Sequence, residues 1–201
     1  MRTARHLVLF VREPRRGVGK RRLAHSVGDA AALRFERAML GLLVRRLAHD
    51  RRWRLRLAVT PDRARRRARL WPPGVAVAGQ GEGNLGDRMR HALAACPPGP
   101  AVLVGSDIPA LAAHHVADAF RLLGCHDLVF GPAGDGGFWL VGARHCPRLP
   151  PIFGPVRWSG PHALADVLSN LPPDVSVGFA ARLEDVDDGP SYRRLAPRRG
   201  F

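Results

Sequence analysis

At 201 residues, 46% of them hydrophobic, the chain is long enough to bury one substantial core, and no shift in composition divides it, so a single domain over 1–201 is expected. A formal charge of +15 raises the question of nucleic acid, but the arginines are scattered over helical patterns and aromatic residues make up only 6%, so a nucleic-acid surface is disfavoured. No apolar run approaches the roughly 20 residues of a membrane helix, which points to a cytoplasmic protein, and Cys96, Cys125 and Cys146 lack the number and spacing of a disulfide framework or zinc site.

In chain order, residues 6–11 form a short apolar strand that runs into Arg12-Glu13-Pro14-Arg15-Arg16-Gly17-Val18-Gly19-Lys20, a Gly- and Pro-bearing loop rich in cations. Asp29 is placed at an N-cap before a helix over 30–48, where Leu33, Leu40, Leu43, Val44 and Leu47 recur at helical spacing. A strand over 55–60, a basic helix over 62–70, a short strand over 75–78 and a helix over 85–95 follow. Residues 101–105 are the most strand-like segment and deliver Ser106-Asp107-Ile108-Pro109 at their carboxyl end. After a helix near 113–123, strands over 127–130 and 138–141 flank Gly131-Pro132-Ala133-Gly134-Asp135-Gly136-Gly137, a connection that predicts one antiparallel strand. A helix near 161–170, a strand near 175–179 and an acidic island over 184–188 complete the chain. Alternating strands and helices predict an α/β fold with a mostly parallel, mixed sheet, in which ligands bind at the carboxyl ends of the strands.

Several residues stand out against this frame. Gly19-Lys20 suggests a Walker A loop, but that motif requires Gly at position 14 and Ser or Thr at 21, where the chain has Pro14 and Arg21. What survives is a glycine loop whose Gly17 and Gly19 let backbone approach a ligand, with Lys20 and Arg22 able to pair with phosphate oxygens; a solvated basic loop is the alternative. Lys20 is the single lysine among 32 basic residues. Asp107 follows an apolar strand, where a carboxylate calls for a cation or metal, unless it serves as a turn or cap residue. Asp135 sits among glycines that permit close contact with a substrate. Asp185 and Asp187, two apart in an extended segment, face the same way and offer hard oxygen donors for Mg²⁺ or Mn²⁺. The nine histidines show no metal-binding spacing, and no GxSxG nucleophile elbow is present. Trp139 and Trp158 are expected in the core or on a pocket wall, with Trp158-Ser159-Gly160 at the border of an acceptor site.

Taken in order, Leu9 through Pro14, Gly17 through Leu23, Gln80 with Leu85-Gly86-Asp87-Arg88-Met89, Gly105 through Pro109 and Gly131 through Leu140 resemble the bacterial glycosyltransferase-like family associated with radical-SAM and selenodomain proteins and linked to arsenosugar biosynthesis. That family is similar to the GT-A nucleotide-diphospho-sugar transferases and, more distantly, to guanylyltransferases of molybdenum cofactor and 2-phospho-lactate. The resemblance implies a Rossmann-like three-layer sandwich. It implies phosphate contacts from Lys20 and Arg22, a nucleotide site completed by Arg12, Gly17, Gly19, Gln80 and Arg88, metal at Asp107 and Asp187, and Asp135 on the acceptor side. The chain departs from the family pattern at Arg21 for Thr, at Phe138 for Tyr, at Gly160, and over Asp188-Gly189-Pro190-Ser191.

Together these readings predict an enzyme that uses Mg²⁺ or Mn²⁺ to transfer a sugar from a nucleotide-sugar donor to a small-molecule acceptor, with Asp107, Lys20 and Asp135 as the catalytic set. A nucleotidyltransferase acting on an NTP at the same site and a non-catalytic nucleotide-binding module are the alternatives.

Overall fold

The computed structural model describes residues 3–195. Its centre is a seven-stranded sheet in the order β3-β2-β1-β4-β6-β5-β7. The strands are β1 (His6–Arg12), β2 (Arg54–Thr60), β3 (Ala76–Gly79), β4 (Gly99–Gly105), β5 (Leu128–Pro132), β6 (Phe138–Cys146) and β7 (Val177–Phe179). Strand β6 is antiparallel to both neighbours, β4 and β5, and every other pairing is parallel. The glycine-rich connection over 133–137 is therefore a turn that keeps the end of β5 and the start of β6 on the edge where β1, β2, β3 and β4 also finish.

Period-2 alternation divides the apolar side chains between two layers. Leu7, Leu9 and Val11 of β1 face the core shared with α1 (Arg21–Val27), α2 (Asp29–Leu47) and α4 (Ala113–Leu122), whose Leu23, Phe35, Met39, Leu43, Val116 and Phe120 are buried there. Val8, with Ala58, Leu103 and Phe130 from other strands, faces α3 (Leu85–Ala94) and α5 (Ala163–Ser169) through Met89, Leu93 and Val167. Helices on both faces of a mixed sheet give the three-layer α/β sandwich that the alternating pattern predicts. Among the described residues no helix is long and apolar enough to cross a membrane.

Local chemistry accounts for most element ends and for the departures from the sequence reading. Asn84 caps α3 in a reciprocal box: its side chain accepts from the Asp87 N–H while the Asp87 carboxylate accepts from the Asn84 N–H. For α2 the N-cap is Gly28, not Asp29, which is the first helical residue and lies where a carboxylate complements the helix dipole. The basic helix expected over 62–70 is instead two short 3-10 turns, Asp62–Arg66 and Ala68–Leu70, broken where Arg67 leaves helical geometry between them, and the Asp62 carboxylate accepts from the Gly81 N–H. Helices α1 and α6 (Gly189–Leu195) are too short to show an apolar period in sequence.

Several arginines do internal work. Arg46 of α2 donates to the carbonyls of Pro109 and Leu111, at 2.7 and 2.9 Å, and so clamps the turn that follows β4. Arg56 donates to Ala95 O, and Arg67 pairs at 2.7 Å with Glu13, itself only 4% exposed. Part of the positive charge thus serves the fold.

Phe35 is completely buried and Phe179 is 51% exposed. Phe35→Ala is expected to cost about 3–5 kcal/mol in urea denaturation and Phe179→Ala less than about 0.5 kcal/mol; equal losses would show that the α2 face is not the main core.

Candidate active site

Three segments far apart in sequence meet at the carboxyl edge of the sheet. The first is the loop after β1. Lys20 at its end adopts a left-handed backbone, φ 35° and ψ 49°, a conformation that costs a non-glycine residue about 1 kcal/mol. It is the N-cap of α1, with its carbonyl accepting from the Ala24 N–H, while its side chain caps nothing and turns into the site. The second is Asp107, two residues past β4. The third is the strand-like tail after β7, which runs along the end of β5 by donating from Ala180 N to Phe130 O and from Leu183 N to Pro132 O. It then donates from Val186 N to Asp107 O at 3.0 Å.

Val186 is completely buried, so it pins the tail, and its neighbours Asp185 and Asp187 both project the other way. One carboxylate oxygen from each of Asp107, Asp185 and Asp187 lies within 4.8 Å of the others. The Lys20 ammonium bridges two of them, donating to Asp107 and, at 2.5 Å, to Asp187. Burial opposes the charge on Lys20, but the two carboxylates outweigh it and hold its pKa above the ordinary lysine range. Asp185 lacks such a partner: burial, reinforced by the like charges of Asp107 and Asp187, pushes it up to about 6. Three hard carboxylate donors with one unneutralised member form a set suited to a divalent cation such as Mg²⁺ or Mn²⁺.

The other residues singled out by sequence surround this cluster at different distances. Arg12 ends β1 and, with Lys20, Glu36 and Asp107, lines a cavity of about 90 Å³. Arg22 and Asp135 share an open depression of about 300 Å³ with Lys20, Arg21, Ser159 and Asp187. The Asp135 carboxylate is exposed and accepts from Gly137 N at 2.9 Å, outside the three-aspartate cluster. Gly17 lies in the exposed turn with φ 75°. Gly19 has no room for a side chain, because the Glu36 carboxylate occupies the place of a Cβ. Gln80 is 1% exposed and its amide is fully engaged, donating to Val11 O and Ala58 O and accepting from Arg88. Any influence of Gln80 on a ligand passes through Arg88. The Arg88 pKa is lowered by burial and by the facing Arg12 guanidinium, a repulsion that an anion between them would relieve.

Two features went unrecognised in the sequence. Glu36 lies on the buried stripe of α2, in register with Leu40, Leu43 and Leu47, and burial pushes its carboxyl up to about 7 against the pull of Lys20 and Arg12. A charged residue on an apolar stripe is a signal that could have found it. Asp188 was read as part of an acidic island; it caps α6, accepting from Ser191 N at 2.8 Å and from Ser191 Oγ at 2.6 Å.

With this geometry in hand, residues 43–160 match the family of uncharacterized proteins conserved in bacteria, DUF2064. The chain belongs to this DUF2064 family. The match takes in Asp107 and Asp135 and leaves Lys20, Asp185 and Asp187 outside it. No curated protein sequence matches the chain. Among solved structures, the chain is similar to a candidate nucleotide-diphospho-sugar transferase from Desulfovibrio desulfuricans G20, at 26% identity and TM-score 0.83, over 96% of this chain and 92% of that one. It also shares its fold with Rv0371c of Mycobacterium tuberculosis H37Rv in complex with manganese, at 19% identity and TM-score 0.57, over 97% and 98% of the two chains. A third is 4-diphosphocytidyl-2C-methyl-D-erythritol synthase from Anaerococcus prevotii DSM 20548, at 9% identity and TM-score 0.63, over 96% and 94%. The DUF2064 chain thus has the nucleotide-diphospho-sugar transferase fold.

Removing the Lys20 ammonium leaves three carboxylates without their internal counter-ion. Lys20→Ala is expected to lower the melting temperature in a chelator at pH 8 by about 2–4 °C, on the order of 1 kcal/mol for partly exposed partners. An unchanged melting temperature would show that the bridge contributes no net stability.

Proposed function

We propose that this protein is a metal-dependent transferase that takes a sugar from a nucleotide-sugar donor. The observation that carries the reading is the meeting of Lys20 with Asp107, Asp185 and Asp187 at the carboxyl edge of the sheet, flanked by Arg12 and Arg22, with Arg88 near Arg12. A diphosphate needs a divalent cation on one side and fixed cations on the other, and this edge offers donors for both.

Asp107 and Asp187, with Asp185 as third donor, would hold Mg²⁺ or Mn²⁺, and a manganese complex of a protein with this fold supports that assignment. When bound, the metal would neutralise the diphosphate and stabilise the leaving phosphate. With the carboxylates occupied in that way, Lys20 would be available to donate to phosphate oxygens, and Arg22 would reach them from the first turn of α1. Arg12 and Arg88 would bind the nucleotide, with Gln80 holding Arg88 in place, and the Gly17 to Gly19 turn would bring backbone close to it. Asp135, across the open depression from Arg22, would face the acceptor and receive its hydroxyl proton. Catalysis rests on position and charge.

Glycosyl transfer is favoured by the likeness to the Desulfovibrio protein and by the resemblance of the sequence motifs to the glycosyltransferase-like family associated with radical-SAM proteins. Nucleotidyl transfer is the second reading, favoured by the same fold in the diphosphocytidyl-methylerythritol synthase, whose product carries a nucleotide.

Incubation with nucleotide-sugars and NTPs in Mn²⁺ separates the readings: free NDP is the expected product, and pyrophosphate would establish nucleotidyl transfer. In calorimetry, Asp107→Asn is expected to weaken NDP binding in Mn²⁺ by about 100-fold or more, roughly 3 kcal/mol. Affinity independent of metal in both proteins would defeat the metal assignment.

A further inference from the structure

Beside the acidic cluster lies a hollow with different chemistry. It has a volume of about 180 Å³, and its walls include Met89, Ile108, Phe138, Trp139 and Trp158. A cavity of about 150 Å³ lined by apolar side chains accommodates benzene, so this one has the capacity for a single six-membered ring. Its mouth carries Asp107, Asp135 and Asp185, and among the described residues that line it there is no Lys, Arg or His.

The walls are set in advance. The Trp158 indole stands edge-on to Phe138, with ring centres 6.4 Å apart, and 6.2 Å from Phe153. The ring also lies against Gly86 of α3, where a Cβ would come within 2.6 Å of it and 2.9 Å of the Phe153 Cβ. Phe138 is in turn edge-on to Phe130 at 5.4 Å, and the Trp139 N–H is committed to Ala181 O at 3.0 Å. The walls are therefore largely aromatic and aliphatic carbon, with the Trp139 N–H already engaged.

Charge and polarity select the occupant. Without metal a phosphate or carboxylate in the hollow would meet three aspartates and no lining cation, and with metal bound it could pair only at the acidic end and not among the rings, which disfavours an anionic group seated there. A hydroxyl-rich ring would leave several of its polar groups unpaired against the aromatic walls, at about 1–3 kcal/mol each. The cations lie on the other side of Asp135 and Ser159, in the depression formed with Lys20, Arg21 and Arg22. Asp135 and Ser159 border both hollows, so a group seated among the aromatics has its end at the place where the two meet.

We propose that this hollow binds the acceptor and selects an uncharged molecule bearing one apolar ring, aromatic or alicyclic, with a hydroxyl directed to the acidic mouth. This rests on the transferase reading above. Phe138, Trp158 and Gly86 are its specificity-determining residues. Gly86 acts by allowing the indole its position.

The test is ligand-observed saturation-transfer NMR on the full chain in a chelator, with benzyl alcohol, benzyl phosphate and glucose as probes, alongside calorimetry of UDP and GDP in Mg²⁺. Benzyl alcohol is expected to bind at least about tenfold more tightly than the other two, a difference of about 1.4 kcal/mol. Trp158→Ala is expected to weaken benzyl alcohol about tenfold while leaving metal-dependent nucleotide affinity unchanged. Because truncating Trp158 can disturb the fold, Gly86→Ala, whose Cβ would meet the indole at 2.6 Å and the Phe153 Cβ at 2.9 Å and so displace that wall, provides a second change with the same expected result, unchanged nucleotide affinity being the check that the fold survives. Benzyl phosphate or glucose binding as tightly as benzyl alcohol, no binding of benzyl alcohol, or binding unaffected by both variants would overturn the proposal. Failure of benzyl alcohol with nucleotide binding intact defeats the acceptor assignment alone. Ring binding in a protein that takes no nucleotide defeats the transferase reading and, with it, the role of acceptor.

Discussion

The site depends on the Lys20 ammonium held between the carboxylates of Asp107 and Asp187. Carboxylates at this spacing repel one another, and half-burial strengthens the repulsion by removing water. Lys20 makes the arrangement tolerable, and it does so from a backbone conformation that lysine would not choose alone. Strain and shared burial of this kind fit the binding role proposed for the site, since an equally stable edge could be built from neutral residues.

The remainder of the carboxyl edge supports this contact. Val186 is buried between two aspartates, so the core that it joins decides where Asp185 and Asp187 point. Its N–H on Asp107 O ties the tail to the end of β4, and Arg46 fixes the following turn through two carbonyls. Packing on the α2 side of the sheet is thereby coupled to the geometry of charged groups on its edge. The antiparallel direction of β6 has a similar effect, because it returns Phe138 and Trp139 to the same edge as Asp107. Cations, carboxylates and aromatic walls then lie side by side in the order that a polyanionic donor and a less polar partner would require.

Periodicity and apolar runs were sufficient to define the α/β class, the mixed sheet, the long helix α2 and the strand that ends before Asp107. These are properties of many residues acting together, and no single error in a window removes them. Short helices α1 and α6 left no such trace, and the basic stretch over 62–70 breaks at Arg67 into two 3-10 turns in place of its apparent helical pattern. Glu36 was legible as a charge on an apolar stripe. The role of Gln80 was not, because its carbonyl partners on β1 and β2 are 69 and 22 residues away.

The sequence alone determined the candidates: one lysine among arginines, an aspartate at the end of an apolar strand, a pair of aspartates two apart, and a glycine-rich turn before two aromatics. It could do so because each stands out against its own neighbours in residue type, spacing and polarity. Only the tertiary structure decided that Lys20 answers Asp107 and Asp187, that Asp185 joins them, that Asp135 lies outside that cluster while bordering the same hollows, and that Trp158 lines an apolar hollow beside the charges. Those outcomes depend on strand order and on backbone bonds between distant segments, and distance along a chain carries no measure of distance in space.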